Sequence, residues 1–583
     1  MSSLDDTLAG LAPRVSSCRN LSGRYNPRHC LAIYHLPIAG HSLSAPCTAL
    51  GEAVVARNGL GCVLLEGVPA RIPEGAVVIA LYNAAKLARP DLLEGVPELT
   101  REGQYAIKLQ DSALITSRSR DGLAAGIQTL AMLILRHSED ILPAGIVVDT
   151  PTCQFRGLAV ELGEGGVNLG LLMQIASFAA TFKANRLQLI LPASFVPPRR
   201  MPGLDNFVQL CQSYGLALGV SAPWLGAMLS GKRSPKAIWA DLRAAARFFG
   251  AEQAALDDPL PIGVDASRIK LAAASILNGE AGLKSLSLDA NLLQASNCPP
   301  PALKSLGVGG WYRMDGIYAP PPPDFGELPL RLEVQGPING FSGQGSAVFH
   351  HRLDSAMIWL RSRPRRDFMI SFRDAGFAYL WQNLMYPAAT GLISAWGNPL
   401  EADQSAWLYA NLLYNHLASP AMDLWEAVAE AFPPGLSATD ELLLRRIVFG
   451  HWPEDRRALW LLNGIDWLKT LRGVEAARGK LNKMVEALDR NAATLDGARL
   501  GLRALVWLAS FATLIAKPPK PGPAGSPPDG GRDKPAIAES LENFNSWSGG
   551  LQELLAVYDR DLDSLPLLKD MRDRLESLGR DRG

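Results

Sequence analysis

The residues of this 583-residue chain that could do chemistry lie at the ends of short apolar segments between residues 155 and 405. In α/β barrels, catalytic groups lie where the parallel strands end. Asp265, near the end of the segment PLPIGVDA, is central in this region and is the candidate catalytic carboxylate. Trp224, Trp311 and Trp396 lie in or after other such segments. Their aromatic faces make them candidates for contact with a ligand.

Few other carboxylates occupy a comparable position. Glycoside hydrolysis usually needs two carboxylates, one to protonate the leaving oxygen and one to stabilise or attack the anomeric carbon. The remaining acidic candidates near segment ends are Glu161, Asp315, Glu333, Asp374 and Glu401. Because Asp265 alone is central, the sequence does not display a complete catalytic pair.

The sequence offers no metal or cofactor motif. Its seven cysteines are odd in number, scattered and without a CxxC pair, which favours reduced thiols over a disulfide framework or a zinc site. His350 and His351 are adjacent, so on a strand they would face opposite sides. We therefore predict no structural metal and no cofactor.

The charge balance argues against a polyanionic partner. Fifty-seven basic and fifty-seven acidic side chains give a net charge of zero, which supplies no general attraction to nucleic acid or anionic lipid. The first residues lack the cationic flank and apolar core of a secretory signal. The apolar run over 504–516 is shorter than the roughly 18 residues that span a bilayer. We expect no nucleic-acid partner, no membrane span and a cytoplasmic location.

Apolar periodicity predicts an α/β fold. Up to residue 150, short β-rich runs precede a helix over 121–136, which indicates an α+β domain. From residue 155, nearly continuous apolar strands alternate with amphipathic helices, the pattern of a parallel sheet buried on both faces. The strands predicted for a (β/α)8 TIM-like barrel include FRGLAVEL, RLQLIL and LALGVSAPW as the first three, PLPIGVDA as the fourth and GLISAWGN as the last.

Composition changes give the domain boundaries. Proline-rich connections at 299–301 and 320–323 predict a distorted second half of the barrel. A Pro/Gly-rich stretch near the C-terminus is typical of a linker. The predicted units are a 1–150 α+β domain, a 151–410 barrel, a 411–516 helical domain, a 517–535 linker and 536–583 C-terminal helices.

One ordered set of residues matches a known family. The set consists of Gly122, Leu123, Gly126, Gln128, Thr129, Leu130, Asp149, Pro151, Arg156 and Gly157. It resembles the helix motif, the Asp-x-Pro and the Arg-Gly found in order in glycoside hydrolase family 20, the β-N-acetylhexosaminidases. The resemblance is good over residues 100–225 and looser over the rest of the barrel. It implies an N-terminal domain and barrel of that type and a carbohydrate ligand.

The resemblance also implies roles for individual residues. Arg156 matches the arginine that holds sugar hydroxyls, and Asp265 matches the aspartate that orients the substrate acetamido group. Ala266 stands where the family has its general-acid glutamate. Trp396 matches an aromatic wall, and Asn398 replaces an acid that binds hydroxyls. Apart from the resemblance, Trp224 and Trp311 could stack with Trp396 and hold a sugar, since carbohydrate recognition uses aromatic faces.

The missing acid leaves two functions open. Loss of a positioned general acid typically lowers the rate by about 10²–10⁴-fold, so the implied protein recognises terminal N-acetylhexosamine with weak or absent hydrolysis. The alternative is a non-catalytic glycan- or protein-binding scaffold that binds a protein partner through its helical C-terminal region. Structural interpretations also exist, because Arg156 could pair with Asp149 or Glu161, Asp265 could be a helix N-cap and Trp396 could be core.

Overall fold

A computed structural model gives the architecture. It describes residues 4–8, 11–38, 42–137, 140–162, 169–192, 195–197, 201–222, 235–256, 285–289, 308–314, 330–335, 345–363, 367–372, 381–397, 402–433, 440, 443–444, 447–448, 452–453, 456–488, 495–516, 534–556 and 566–580.

The N-terminal part is a seven-stranded mixed sheet in the order β1-β7-β5-β6-β4-β2-β3. Pairs β1–β7, β5–β7 and β5–β6 are antiparallel, and β4–β6, β2–β4 and β2–β3 are parallel. The strands are β1 Ser17–Tyr25, β2 Ala32–His35, β3 Val63–Glu66, β4 Val77–Leu81, β5 Tyr105–Leu109, β6 Ala113–Ser117 and β7 Leu142–Asp149. The helices are α1 Leu4–Leu8, α2 Ser44–Asn58, α3 Tyr82–Ala88 and α4 Arg120–Arg136.

Helix α4 forms the centre of the N-terminal core. It begins at Arg120, and the side chain of the preceding Ser119 caps the helix by accepting a hydrogen bond from the Gly122 N–H. Its buried face includes Leu123 and Ile127. A Cβ atom on Gly126 would lie 2.7 Å from Ile115 Cγ2, so glycine at this position lets the helix pack closely on the sheet.

Eight parallel strands close into a barrel in the order β8 to β15, with β15 paired to β8. They are β8 Phe155–Glu161, β9 Arg186–Ile190, β10 Ala217–Ala222, β11 Gln253–Leu256, β12 Ser285–Asp289, β13 Val308–Met314, β14 Leu330–Gln335 and β15 Asp367–Phe372. Among the described residues, helices follow β8, β9, β10, β14 and β15. These are α5 Leu169–Thr181, α6 Leu204–Ser213, α7 Pro235–Phe249, α8 Gly345–Arg361 and α9 Trp381–Trp396.

Side chains alternate between the two faces of the barrel strands. Leu158 and Val160 of β8 belong to the large core shared with the surrounding helices. Phe155 and Ala159 of the same strand form a separate small cluster with Ile190 and Met369, which therefore lies inside the barrel.

Two strand predictions are wrong. The fourth strand is β11, Gln253–Leu256, and PLPIGVDA lies in a stretch outside the described residues. The segment GLISAWGN is not the last strand, because its apolar residues belong to helix α9 and the last strand is β15. The physical reason for the second difference is that a short apolar run such as GLISAW has the same pattern in a buried strand and in a buried helix.

The C-terminal part is helical. Its helices are α10 Ala402–Tyr414, α11 Ala418–Glu430, α12 Arg456–Gly464, α13 Trp467–Ala487, α14 Asp496–Ala516, α15 Lys534–Ala556 and α16 Pro566–Arg580. By length and composition α14 could cross a membrane, but 67% of its apolar window is buried inside the protein. Trp507 of α14 stacks on Trp547 of α15. A core helix passes the same test, so α14 is weak evidence for a membrane span.

Candidate functional site

Polar side chains occupy the inside of the barrel near the carboxyl ends of its strands. By strand alternation, Glu161, Ser221, Glu333 and Ser371 share the inward side. Ser221, Glu333 and Ser371 are each no more than 4% exposed. Catalytic groups of α/β barrels lie at this end. The described residues therefore provide a polar, partly acidic interior at the position where chemistry is expected.

One row of neighbouring positions combines small residues with available hydrogen-bond donors. Ser371, Ala159, Gln188 and Gly219 pair in register across β15, β8, β9 and β10. A Cβ atom on Gly219 would collide with the Gln188 carboxamide oxygen. Gln188 Nε2 and Ser371 Oγ are buried and have no hydrogen-bond partner among the described residues. Because buried polar atoms are usually paired, these two groups could bind a ligand inside the barrel.

The interior near the amino ends of the strands is filled by charged and aromatic side chains. The Arg331 guanidinium carbon lies 3.8 Å from the Phe155 ring centroid, and that of Arg186 lies 5.4 Å from it. Arg331 Nη2 donates to Gln253 Oε1 at 3.2 Å. These contacts close the barrel interior below the polar row.

The observed strand boundaries reveal more carboxylates at strand ends than the sequence suggested. In sequence, Asp257 and Asp258 directly follow β11, Asp289 ends β12 and Asp315 directly follows β13. Glu161 ends β8. The expectation that Asp265 alone is central depended on a fourth strand at PLPIGVDA, and that strand assignment is wrong.

Arg156 lies at the amino end of β8, away from the carboxyl ends of the strands. It is 1% exposed. Its side chain donates to three carbonyl groups and one carboxylate, with distances of 2.7 Å to Cys153 O, 3.1 Å to Gln154 O, 3.0 Å to Lys183 O and 3.3 Å to Asp121 Oδ2. The pairing with Asp121 favours the structural interpretation of Arg156, although the partner differs from the two that the sequence suggested.

A second buried ion pair lies beside Arg156. Lys183 Nζ donates to Asp149 Oδ2 and to the Tyr105 hydroxyl, both at 2.9 Å. Asp149 Oδ2 also accepts from the Tyr105 hydroxyl at 2.7 Å and from Trp396 Nε1 at 2.8 Å. We call Asp149, Lys183, Tyr105 and Trp396 the junction cluster, because it joins strands β5 and β7, helix α9 and the loop before β9.

The electrostatics of the junction cluster favour a charged pair. Burial by itself would raise the pKa of Asp149, but Lys183 and hydrogen bonds from Lys183, Ser16 and Tyr105 lower it below its ordinary value. Burial lowers the pKa of Lys183, and Asp149 opposes that shift. Trp396 adds its ring face, which lies 4.5 Å from Lys183 Nζ and 4.6 Å from the Arg156 guanidinium carbon.

The predicted site residues are thus only partly located by the structure. It brings Arg156 and Trp396 together, in the buried junction at the amino end of the barrel. Trp311 is part of β13, where it pairs in register with Asp289 of β12. Asp265, Ala266, Trp224 and Asn398 lie outside the described residues. Lys183 and Tyr105 were missed, because nothing in their sequence surroundings signals a contact with Asp149.

The described residues contain no group of three or more His, Cys, Asp or Glu side chains that could hold a metal ion. The polar groups that the structure describes inside the barrel are carboxylates, hydroxyls, amides and the guanidinium groups of Arg186 and Arg331.

Comparison with known proteins shows the fold. No family model matches the sequence, and no curated protein matches it. The solved structure of CpGH84D aligns with a TM-score of 0.54 and 12% identity, covering 97% of this chain and 99% of that chain. The structure of CpGH84B aligns with a TM-score of 0.52 and 10% identity, covering 96% and 99%. Their names place both in glycoside hydrolase family 84. The chain therefore has a glycoside-hydrolase-like fold over nearly its full length, and the comparison does not single out family 20.

Proposed function

We propose that this chain is a carbohydrate-active barrel protein of the β-N-acetylhexosaminidase type, with a complete (β/α)8 barrel that binds a terminal N-acetylhexosamine at its carboxyl end. The observation that carries the proposal is the position of β11, which ends at Leu256. Two adjacent carboxylates, Asp257 and Asp258, come next in the sequence. Adjacent acids at a strand end supply the two groups that hydrolysis of a glycosidic bond requires.

The two carboxylates would have different roles in hydrolysis of the glycosidic bond. One, protonated, would donate a proton to the glycosidic oxygen as the bond to the anomeric carbon breaks. The other, ionised, would orient the acetamido group, whose oxygen attacks the anomeric carbon in substrate-assisted hydrolysis. Two neighbouring carboxyl groups raise the pKa of one of them, which keeps a proton available near neutral pH. The absence of an acid at Ala266 then no longer prevents turnover.

The barrel interior supports sugar binding. Gln188 Nε2 and Ser371 Oγ offer hydrogen bonds next to the small residues Ala159 and Gly219. Buried polar atoms without a protein partner that lie on neighbouring strands are typical of ligand sites. Asp265, Trp224, Trp311 and Asn398 stay predicted ligand contacts, and the cytoplasmic location stays a prediction.

Hydrolysis of an aryl N-acetylhexosaminide tests the proposal. We expect turnover by the wild-type chain and a loss of about 10²–10⁴-fold in kcat in Asp257→Asn and in Asp258→Asn. Asp423→Asn is the matched control, since it removes an exposed carboxylate on helix α11 of the C-terminal part, and it should keep the full rate. Turnover that survives both substitutions in the pair would place the acids elsewhere.

The alternative is a binding scaffold, and one observation favours it. Three large apolar side chains on the C-terminal helices are exposed, Trp407 by 42%, Trp460 by 73% and Leu468 by 72%. Exposed apolar surface often marks a protein-binding region. A wild-type chain that neither cleaves the aryl substrate nor binds N-acetylhexosamine in calorimetry would overturn the hydrolase proposal and favour this one.

A further inference from the structure

Two cysteines of the N-terminal sheet lie close together. Cys30 Sγ is 3.9 Å from Cys62 Sγ. The two residues precede the neighbouring parallel strands β2 and β3, and Val63 N donates to Leu31 O at 3.0 Å between them. A disulfide needs an S–S distance of about 2.05 Å. Small rotations of the two cysteine side chains would bring the sulfur atoms from 3.9 Å to bonding distance.

The two thiols differ in their access to solvent. Cys30 is fully buried, whereas Cys62 is half-buried and lies between the exposed residues Gly61 and Val63. A hydrogen bond from Cys30 lowers the pKa of the Cys62 thiol, and the same contact together with burial raises the pKa of Cys30. Burial and the nearby Cys62 raise the pKa of Cys47 to about 12. Low-pKa, accessible thiols next to a second thiol react most readily with oxidants.

We propose that Cys62 and Cys30 form a dithiol site that a hydroperoxide oxidises to a disulfide. The Cys62 thiolate attacks one peroxide oxygen, the O–O bond breaks, and hydroxide leaves and takes a proton to become water. The product is a sulfenic acid on Cys62. The Cys30 sulfur then attacks the Cys62 sulfur, the S–O bond breaks, and water leaves with the Cys30 proton. Two thiols are oxidised, and hydrogen peroxide is reduced to two waters.

The disulfide would act on the edge of the sheet. Strand β3 is last in the strand order of the sheet, next to β2. Its apolar residues Val63, Leu64 and Leu65 are 55%, 43% and 41% exposed. Exposed edge strands are sites of unwanted pairing with other chains. A covalent bond between the start of β2 and the start of β3 would hold this edge in place and slow its local opening.

Peptide mapping after oxidation tests the site. The fully reduced, full-length chain is treated with hydrogen peroxide, alkylated and digested with trypsin. Cys62 falls in the tryptic peptide 58–71, whereas Cys30 and Cys47 share the peptide 29–57. The Cys47→Ser variant therefore identifies the partner without ambiguity. We expect a cross-link between these two peptides in the wild type and in Cys47→Ser, and slower amide exchange over 63–66 once the cross-link forms.

Three variants make the proposal falsifiable. Cys30→Ser should stop at the Cys62 sulfenic acid, which dimedone traps, and Cys62→Ser should give no cross-link. Cys211→Ser removes a thiol buried in α6 and should oxidise as the wild type does. Thermal melting of each variant checks that it folds. A cross-link that is lost in Cys47→Ser, or native Cys62 that alkylates no faster than the half-buried Cys18 in the wild type, would overturn the proposal.

Discussion

Lys183 holds its ammonium group 2.9 Å from Asp149 Oδ2, although both side chains are completely buried. Asp149 is the last residue of β7 in the N-terminal sheet, and Lys183 lies between α5 and β9 in the barrel. Burying two charges costs several kcal/mol for each ion, and good geometry with further hydrogen bonds must offset that cost. Tyr105 and Trp396 supply such bonds. The pair therefore fixes how the sheet docks on the amino end of the barrel.

Removing one partner of this pair should destabilise the protein strongly. Lys183→Met leaves the buried Asp149 carboxylate without its counter-charge, and such changes cost about 3–5 kcal/mol. Chemical denaturation monitored by tryptophan fluorescence would measure the loss of unfolding free energy. The exposed pair between Arg499 and Asp496 is the matched control, since Arg499→Met should cost no more than about 1 kcal/mol.

A double-mutant cycle separates pairing from packing. In Lys183→Met with Asp149→Asn, both charges are gone, so the double variant should be more stable than the sum of the two single losses implies, by about 0.5–3 kcal/mol. Strictly additive losses would show that the two groups do not interact.

Stability should fall in acid through the same carboxylate. The pKa of Asp149 is below its ordinary value in the folded chain, whereas an unfolded aspartate titrates near 3.9. Between these two values the unfolded chain binds more protons than the folded one, so the free energy of unfolding decreases as pH falls. The stabilisation is fully present above the unfolded pKa. Denaturation curves from about pH 6 down to pH 3 should show this slope, and Asp149→Asn should flatten it.

The sequence predicts those elements whose apolar runs are long and clearly bounded. FRGLAVEL coincides with β8, and the expected helix over 121–136 coincides with α4. Strand β11 was missed because Gln253–Leu256 is short and rich in alanine, which has low strand propensity. The segment PLPIGVDA has a more strand-like composition, so the sequence predicts the fourth strand there. The predicted catalytic carboxylate is then Asp265 instead of an acid that follows β11.

The junction cluster shows why the site is harder to predict than the fold. The sequence marks Asp149 and Arg156 as notable, but the structure pairs them with Lys183 and Asp121, respectively. Lys183 has φ of 61°, a left-handed conformation that few non-glycine residues adopt. Its position follows from how α5 ends and β9 begins, and a linear sequence does not encode that geometry visibly.

Trp396 offers a test of its two interpretations. Trp396→Phe keeps an aromatic face beside Lys183 but loses the N–H donated to Asp149, a hydrogen bond to a charged group worth about 1.5–3 kcal/mol. We expect a lower melting temperature with an unchanged KM for an aryl N-acetylhexosaminide. A raised KM with unchanged stability would instead support the sugar-binding role that the sequence resemblance implies.

A side chain at Gly219 requires the Gln188 carboxamide to move, because that carboxamide fills the space where a Cβ atom would lie. Because Gln188 is buried inside the barrel, Gly219→Ala displaces its carboxamide and should cost about 1 kcal/mol of unfolding free energy. Gly51, in the middle of α2, has open space where a Cβ atom would lie, with nothing within 4 Å, so Gly51→Ala is the control and should stabilise by about 0.5–1 kcal/mol. Adding Gln188→Ala to Gly219→Ala removes the obstacle. If the two barrel substitutions together cost as much as the sum of each alone, Gln188 does not occupy the space beside Gly219, and the polar row inside the barrel is arranged differently.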